Sequence, residues 1–300
     1  MKNRHCAYGV RNKVKIILSR KGVDSSAGGF ASPIFPDGEM ISVPIPDKRA
    51  QVRYSDIQST DDGRSMAKLV RNLSRGKLSA NRFAHVDPDL DFALLPRETG
   101  WRPLFGQCGA AQSHLNSLEV GAGDLFIFFG WFRQVESYRR AWRYVSGAPD
   151  LHVMYGWMQI QSVDPVDDIL QSGTDRWAHY HPHCLADFSG SNVIYRSRRY
   201  LKLPPQKKQT ELPGAGLFKS YRPEYCLTNP GSSRSQWRLP LWMHPEDRNS
   251  VLSYHSDHSR WQKEADHALL KSAARGQEFV LDLDDYPEGI DWVRGLLCNA

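Results

Sequence analysis

One stretch gathers side chains suited to an anionic, hydroxyl-bearing ligand: Ser19, Arg20, Lys21, Gly22, Asp24, Ser25 and Ser26. A β-branched run (Val14, Ile16, Ile17) precedes it, so a buried strand is expected to feed a polar loop, and reactive groups are often mounted that way. Arg20 and Lys21 bring positive charge, and Ser25 and Ser26 bring hydroxyls. Asp24 is a carboxylate that could take a proton or stabilise a developing cation. A strand, a solvated loop and a hairpin without chemistry would read the same way.

Two further clusters carry metal-ligand side chains. His179-Tyr-His181-Pro-His183-Cys184 packs three imidazoles and a thiol into six residues. Alternate ligands around a proline match no zinc spacing, and histidines that bond phosphate or move protons are the other reading of His181 and His183. His85-Val-Asp87-Pro-Asp89-Leu-Asp91 offers carboxylates at alternate positions. It lacks the glycine and terminal glutamate of a calcium loop, so the plainer reading is a turn with capping aspartates. Gly214-Ala-Gly216 does not extend to a dinucleotide fingerprint, and no Walker loop is present. Neither a metal nor a cofactor is therefore expected.

Other residues suit recognition of bases and phosphates. Gln107 lies in a glycine-rich bend, where an amide could read a base edge. Trp131 and Arg133 end an apolar run that begins at Gly121, and Arg139, Arg140 and Arg143 interleave with Tyr138, Trp142 and Tyr144. Guanidinium alternating with aromatic rings tracks phosphate and stacks bases, although aromatic hairpins also fill ordinary cores. Trp157, Gln159 and Gln161 share one strand face by period two, Asn192 opens a short strand, and Arg234 sits in a Ser/Arg/Trp loop.

The elements that must hold these residues alternate irregularly. Strands are expected at 14–18, 40–45, 121–133, 152–163, 192–195 and 278–283, with a turn at Phe35–Glu39 closing a hairpin over 30–46. Asp62 is placed to cap a helix carrying Met66, Leu69, Val70 and Leu73 inward. A second helix is expected over 260–274 from the spacing of Trp261, Ala265, Ala268, Leu269 and Ala273, with Gly276 ending it, and helical structure over 164–170 and 290–297. Without a βαβα rhythm, the expected fold is α+β: a single domain, 13–300, around a mixed or largely antiparallel sheet with flanking helices, after a flexible segment 1–12.

Composition narrows the classes. There are 39 Lys+Arg against 33 Asp+Glu, a net charge of +6, so a polyanionic partner is permitted but not required. The five cysteines are scattered and odd in number, which argues for a reducing compartment and against a disulfide framework. No apolar run approaches a membrane span, and the first residues carry no signal-peptide core, so a cytoplasmic location is expected.

Several ordered motifs, KIILSRKGVDSSAGGFASPIFPDG, HVDPDL, FGQCGAAQSHL, GDLFIFFGWFR, HVMYGWMQI, GAGLF and LTNPGSSRSQWRLPLW, together resemble the nucleotide-modification-associated domain family of the third type. The pairing of GDLFIFF with GWMQIQSV also resembles PUA/EVE-type barrels that read modified bases. The resemblance implies a setting in phage and bacterial systems that handle modified DNA bases, with double-stranded DNA carrying such bases as partner. It further implies a DNA glycosylase that flips a bulky base, such as glucosylated hydroxymethylcytosine, and excises it in antiviral defence. A non-catalytic reader that recruits a nuclease is the alternative; a base-modifying transferase and a nuclease are less well matched by motifs. In the glycosylase reading Asp24 is the carboxylate and His181 or His183 the proton donor. Arg20, Lys21, Ser25, Ser26 and Asn192 hold substrate, Gln107, Trp131 and Trp157 line the base pocket, and Arg133, Arg139, Arg140, Arg143 and Arg234 meet the backbone.

Overall fold

The computed structural model describes residues 14–58, 64–188, 190–204, 211–246, 248–274 and 278–298. The expected flexible segment 1–12, the Asp62 cap and the Gly276 stop lie outside the described residues. In chain order the first elements are β1 (Lys15–Arg20), β2 (Ser32–Ile34), β3 (Ile45–Pro46), α1 (Met66–Leu73) and β4 (Ala84–His85). The middle of the chain forms β5 (Leu104–Cys108), α2 (Gly109–Ser117), β6 (Leu125–Tyr138), β7 (Ala141–Tyr144), β8 (Leu151–Pro165), α3 (Val166–Gln171) and α4 (Pro182–Leu185). It ends with β9 (Asn192–Ser197), β10 (Ala215–Leu217), β11 (Gln236–Pro240), β12 (Trp261–Lys263), β13 (His267–Lys271), β14 (Glu278–Asp282) and α5 (Glu288–Leu297).

Nine strands make one mixed sheet in an α+β fold, with the order β14-β1-β6-β8-β9-β5 and with β2 and β7 on β6 and β10 on β8. β6 and β8 are its spine. Phe126, Phe128, Phe129 and Phe132 of β6 and Met154 and Met158 of β8 are buried, as continuous apolar runs in central strands require. β1 and β2 both run parallel to β6 on the same edge, at Leu125–Phe129 and then Phe132–Gln134. Between them the chain leaves the sheet: Lys21 N donates to Phe129 O at 2.9 Å, and pairing resumes at Ser32. The expected polar loop is this excursion. At Gly130, facing it, a Cβ would come within 2.7 Å of Lys21 O, so only glycine lets the backbones approach there.

Several expectations are corrected. The sheet is open in its hydrogen bonding, not a PUA/EVE-type barrel. The turn at 35–39 forms, with Gly38 at φ +88°, but residues beyond Met40 do not return as a long hairpin strand. Met40 N instead bonds Lys219 O, and Ile45–Pro46 pairs with Ala84–His85. The helix expected over 260–274 is the β12–β13 hairpin. Ala268 and Leu270 point inward at period two, opposite the buried Leu239 and Trp237 of β11, so burial against a strand overrides an alanine-rich helical composition. The Met66–Leu73 helix holds, capped by Ser65, whose side chain accepts from Lys68 N.

Candidate functional site

Although β5 and β14 lie at opposite ends of the strand order, the sheet curls until their ends touch. Gln107 Nε2 donates to Glu278 Oε1 at 2.6 Å, and Lys21 Nζ, leaving the end of β1, pairs with the same oxygen at 2.8 Å. Glu278 is 1% exposed, and its other oxygen, Oε2, has no hydrogen-bond partner among the described residues. The ammonium of Lys21 also lies 4.6 Å from the centre of the Phe105 ring. A buried carboxylate is tolerated here because an ammonium and an amide hold one of its oxygens. The second oxygen keeps its acceptor capacity.

Around the free edge of β5 lies a second cluster. Gly106 N donates to Asp87 Oδ1 at 2.8 Å, and Asp89 exchanges backbone bonds with Leu104, so the 85–89 segment docks along that edge. His181 Nε2 is 3.3 Å from Asp87 Oδ1, and His85 Nε2 and His183 Nε2 are each 3.7 Å from Asp87 Oδ2. The His183 and His181 rings fit only because residue 106 is glycine: a Cβ there would lie 2.3 Å from His183 Cδ2 and 2.9 Å from His181 Cε1. The aspartates at alternate positions take three separate tasks. Asp87 faces the imidazoles, Asp89 forms a buried pair with Arg97 at 2.6 Å, and Asp91 caps a short 3-10 turn through Ala93 N.

These environments set the protonation states. Burial opposes charge on His85, but Asp47 and Asp87 outweigh it and hold the imidazole at about 8. Burial dominates at His183 and lowers it to about 4. Burial alone would raise Asp87, yet the adjoining imidazoles of His181 and His85 hold it well below the ordinary carboxylate range. At neutral pH Asp87 is an anion, His85 a cation and His183 a neutral ring.

A third assembly is the arginine-rich face. Arg234 Nη2 donates to Ser25 Oγ at 2.7 Å and its guanidinium lies 4.2 Å from the Trp131 ring centre, so the 19–26 loop, the 227–238 loop and β6 meet here as one surface. Trp131 Nε1 donates to Asp150 at 2.9 Å, and Arg133 approaches the same carboxylate at 4.0 Å. At the β6–β7 tip, Arg139 and Arg140 adopt φ +49° and +66°, the paired left-handed turn that a two-residue hairpin demands. Exposed Tyr138 is flanked there by Arg139 at 5.1 Å and Arg143 at 3.8 Å, with Arg143 also bonded to Glu136. Arg20 donates to Ala274 O at 3.2 Å and feels Asp24, Arg234 and Glu278, which places it between this face and the buried carboxylate.

Asp24 has a local task. Its Oδ1 accepts from Ser26 N, Ser26 Oγ and Ala27 N, each at 2.7 Å, which shapes the loop. Trp157 is brought elsewhere: it is buried, its indole donates to Pro213 O at 3.3 Å, and it packs 5.0 Å from Phe218. Asn192 joins the histidines, with Oδ1 2.7 Å from His183 Nδ1 and Nδ2 donating to His183 O at 3.0 Å. At the far end of β5 a cleft of about 490 Å³ is lined by Trp101, Arg102, Arg198, Arg199 and Gly214.

The family profile described as nucleotide modification associated domain 3 matches residues 15–282. The chain belongs to that family. No curated protein and no solved structure gives a match. In this nucleotide modification associated domain, the matched span runs from β1 to the end of β14 and so includes both the Glu278 junction and the Asp87 cluster. Sequence reasoning found His181, His183, Gln107, Lys21 and Asn192 but not their partners. It passed over Glu278, which sits at the first position of an ordinary-looking strand. A glutamate at a strand end opposite a lysine at another strand end is the only sequence signal it gives. No helix among the described residues is long and apolar enough to cross a membrane.

Proposed function

We propose that this protein is a hydrolase that draws a bulky modified base out of duplex DNA and cleaves its N-glycosidic bond, in defence against DNA carrying such bases. The observation that carries the reading is Glu278: a buried carboxylate with one oxygen clamped by Lys21 and Gln107 and the other without a partner among the described residues. Glycosidic cleavage needs a carboxylate that stabilises the oxocarbenium-like sugar and takes a proton from the attacking water. The water oxygen bonds the sugar carbon, the carbon–nitrogen bond breaks, and the base leaves with a proton from a donor, for which His181 is the candidate because the hydrogen of His183 is held by Asn192 Oδ1. Glu278 takes the role that sequence alone gave to Asp24, which shapes the loop. Arg234, Arg133, Arg139 and Arg140, with Trp131 and Tyr138, meet the phosphates and flanking bases, as an extruded nucleotide requires. Membership of a nucleotide-modification family supports a nucleic-acid substrate.

The test is incubation with unmodified, hydroxymethylated and glucosylated phage DNA, followed by alkali and mass analysis of the released bases. Free modified base and alkali-labile strands are expected from the modified DNA alone, and both are expected to be lost in Glu278→Gln. Tight retention on modified DNA with no released base would replace the enzyme with a reader of the same bases.

A further inference from the structure

We propose that His85 Nε2, His183 Nε2 and Asp87 Oδ2 form a binding site for one divalent first-row transition ion of the zinc class, with a coordination position left for water or substrate. The inference goes beyond the hydrolase reading, since the chemistry assigned to Glu278 does not require it.

Tautomers carry the argument. Asn192 Nδ2 donates to the His183 carbonyl, so its Oδ1 is the atom facing His183 Nδ1 at 2.7 Å, and that nitrogen must carry the proton. His85 Nδ1 lies 2.9 Å from Asp47 Oδ2, a carboxylate that can only accept while Arg49 pairs with it, so this nitrogen is protonated too. With both rings neutral, as ligation requires, the free lone pair of each sits on Nε2. The two Nε2 atoms lie 3.7 Å from Asp87 Oδ2, too far for a hydrogen bond and a separation that one ion can bridge.

The remaining contacts leave Asp87 Oδ2 available. Oδ1 is held by Gly106 N at 2.8 Å and approached by His181 Nε2. His181 is not a further ligand: its Nδ1 accepts from His183 N, so its Nε2 carries hydrogen. All three ligand atoms lie within 4.8 Å of one another. A tetrahedral ion with bonds of about 2.0–2.1 Å holds its ligand atoms about 3.4 Å apart, so each nitrogen–oxygen separation must close by about 0.3 Å and the nitrogen–nitrogen separation by at most about 1.4 Å. Two imidazoles and one carboxylate suit zinc or ferrous iron over calcium or magnesium, and imidazoles backed by a carboxylate and an amide are how such ligands are oriented. Phe188, stacked 4.6 Å from the His183 ring, fixes its plane.

The test uses the full chain, stripped with a chelator, dialysed and titrated with Co²⁺ and then Zn²⁺. One equivalent of Co²⁺ with the ligand-field spectrum of a four- or five-coordinate site, displaced by one equivalent of Zn²⁺, is expected, and Zn²⁺ should raise the unfolding temperature. His183→Gln and Asp87→Asn should abolish both signals. Asn192→Leu, which removes the bond behind the ligand and the one to the His183 carbonyl, should weaken binding by about 10–100-fold, with partial recovery in Asn192→Asp, which restores the first alone. Absence of stoichiometric binding to a chain with native circular dichroism, or binding unchanged in His183→Gln, would overturn the site. Neither result bears on base release, which is scored separately through Glu278→Gln.

Discussion

Gln107 and Glu278 stand 171 residues apart in sequence and at opposite ends of the sheet's strand order, yet their side chains bond at 2.6 Å. That bond marks where the curled sheet brings its ends together, and it leaves Lys21 as the cation nearest a buried carboxylate. Breaking such a pair on one side strands a charge, at a cost of about 3–5 kcal/mol. Glu278→Gln is therefore expected to lose both base release and stability. Adding Lys21→Met should restore most of the stability in urea unfolding without restoring release. Recovery of activity in the double variant would remove Glu278 from the chemistry.

Asp24→Asn separates the two carboxylates. An asparagine oxygen can still accept from Ser26 and Ala27, so the loop should keep its shape and the variant should retain close to full activity in the alkali assay. Asp24→Ala removes the acceptor that holds Ser26 and Ala27 and should cost about 1–2 kcal/mol by denaturant midpoint. A dead but well-folded Asp24→Asn would return the catalytic carboxylate to the loop.

The arginine face makes a salt-dependent prediction. Each phosphate that the protein ceases to neutralise lowers the slope of log K against log salt by about 0.9. Replacing Arg139 and Arg140 together by serine should reduce the slope by up to about 2 and weaken modified and unmodified duplexes alike. Arg234→Ser should reduce the slope by at most about 0.9 but weaken binding beyond that charge loss, because it also frees Ser25 and removes the contact with Trp131. Fluorescence anisotropy across a salt series reads both effects, and unchanged slopes would place the DNA elsewhere.

Two histidines outside the Asp87 cluster contribute to acid stability. His152, which accepts from Trp237 Nε1 at 3.0 Å, is lowered to about 3, chiefly by burial and then by Arg234 and Arg20. His255, which accepts from Ala273 N at 2.9 Å, is lowered to about 4, again chiefly by burial. The unfolded chain binds these protons near pH 6.5 and the folded chain does not, so stability rises with pH across this window. The contribution is complete above about pH 6.5 and declines as pH falls toward 4 and then 3. At pH 5 each group should cost about 2 kcal/mol relative to pH 7. Urea midpoints at the two pH values should show the loss, and His255→Gln should lessen it.

Gly106→Ala tests the packing of the histidines independently of any ion. Its methyl carbon would fall within 3 Å of both His183 and His181, so the rings must move or β5 must bend. A loss of about 1–3 kcal/mol is expected, with histidine side-chain NMR signals displaced.

Much of the scaffold was legible from period and composition. The apolar run leading to Trp131 could only be a central strand, and the spacing of Met66, Leu69, Val70 and Leu73 could only be one helix face; both formed as read. The segment around Ala265 to Ala273 misled, because alanine and leucine spacing fits either a helix or a half-buried hairpin. Only the buried Trp237 and Leu239 opposite decided for the hairpin.

The sequence by itself determined the residue types of the site: a lysine at a strand end, aspartates at alternate positions after a histidine, three histidines within five residues, arginines among aromatic rings. Those depend on local spacing, which a linear chain carries in full. What only the tertiary structure decided is which charge answers which. Asp87, Asp89 and Asp91 look equivalent in sequence, yet an edge amide, a buried arginine and a short 3-10 turn each claim one of them. Glu278 meets Lys21 and Gln107 only because the sheet curls, and curl arises from the summed twist of many strand pairs, which no single segment encodes.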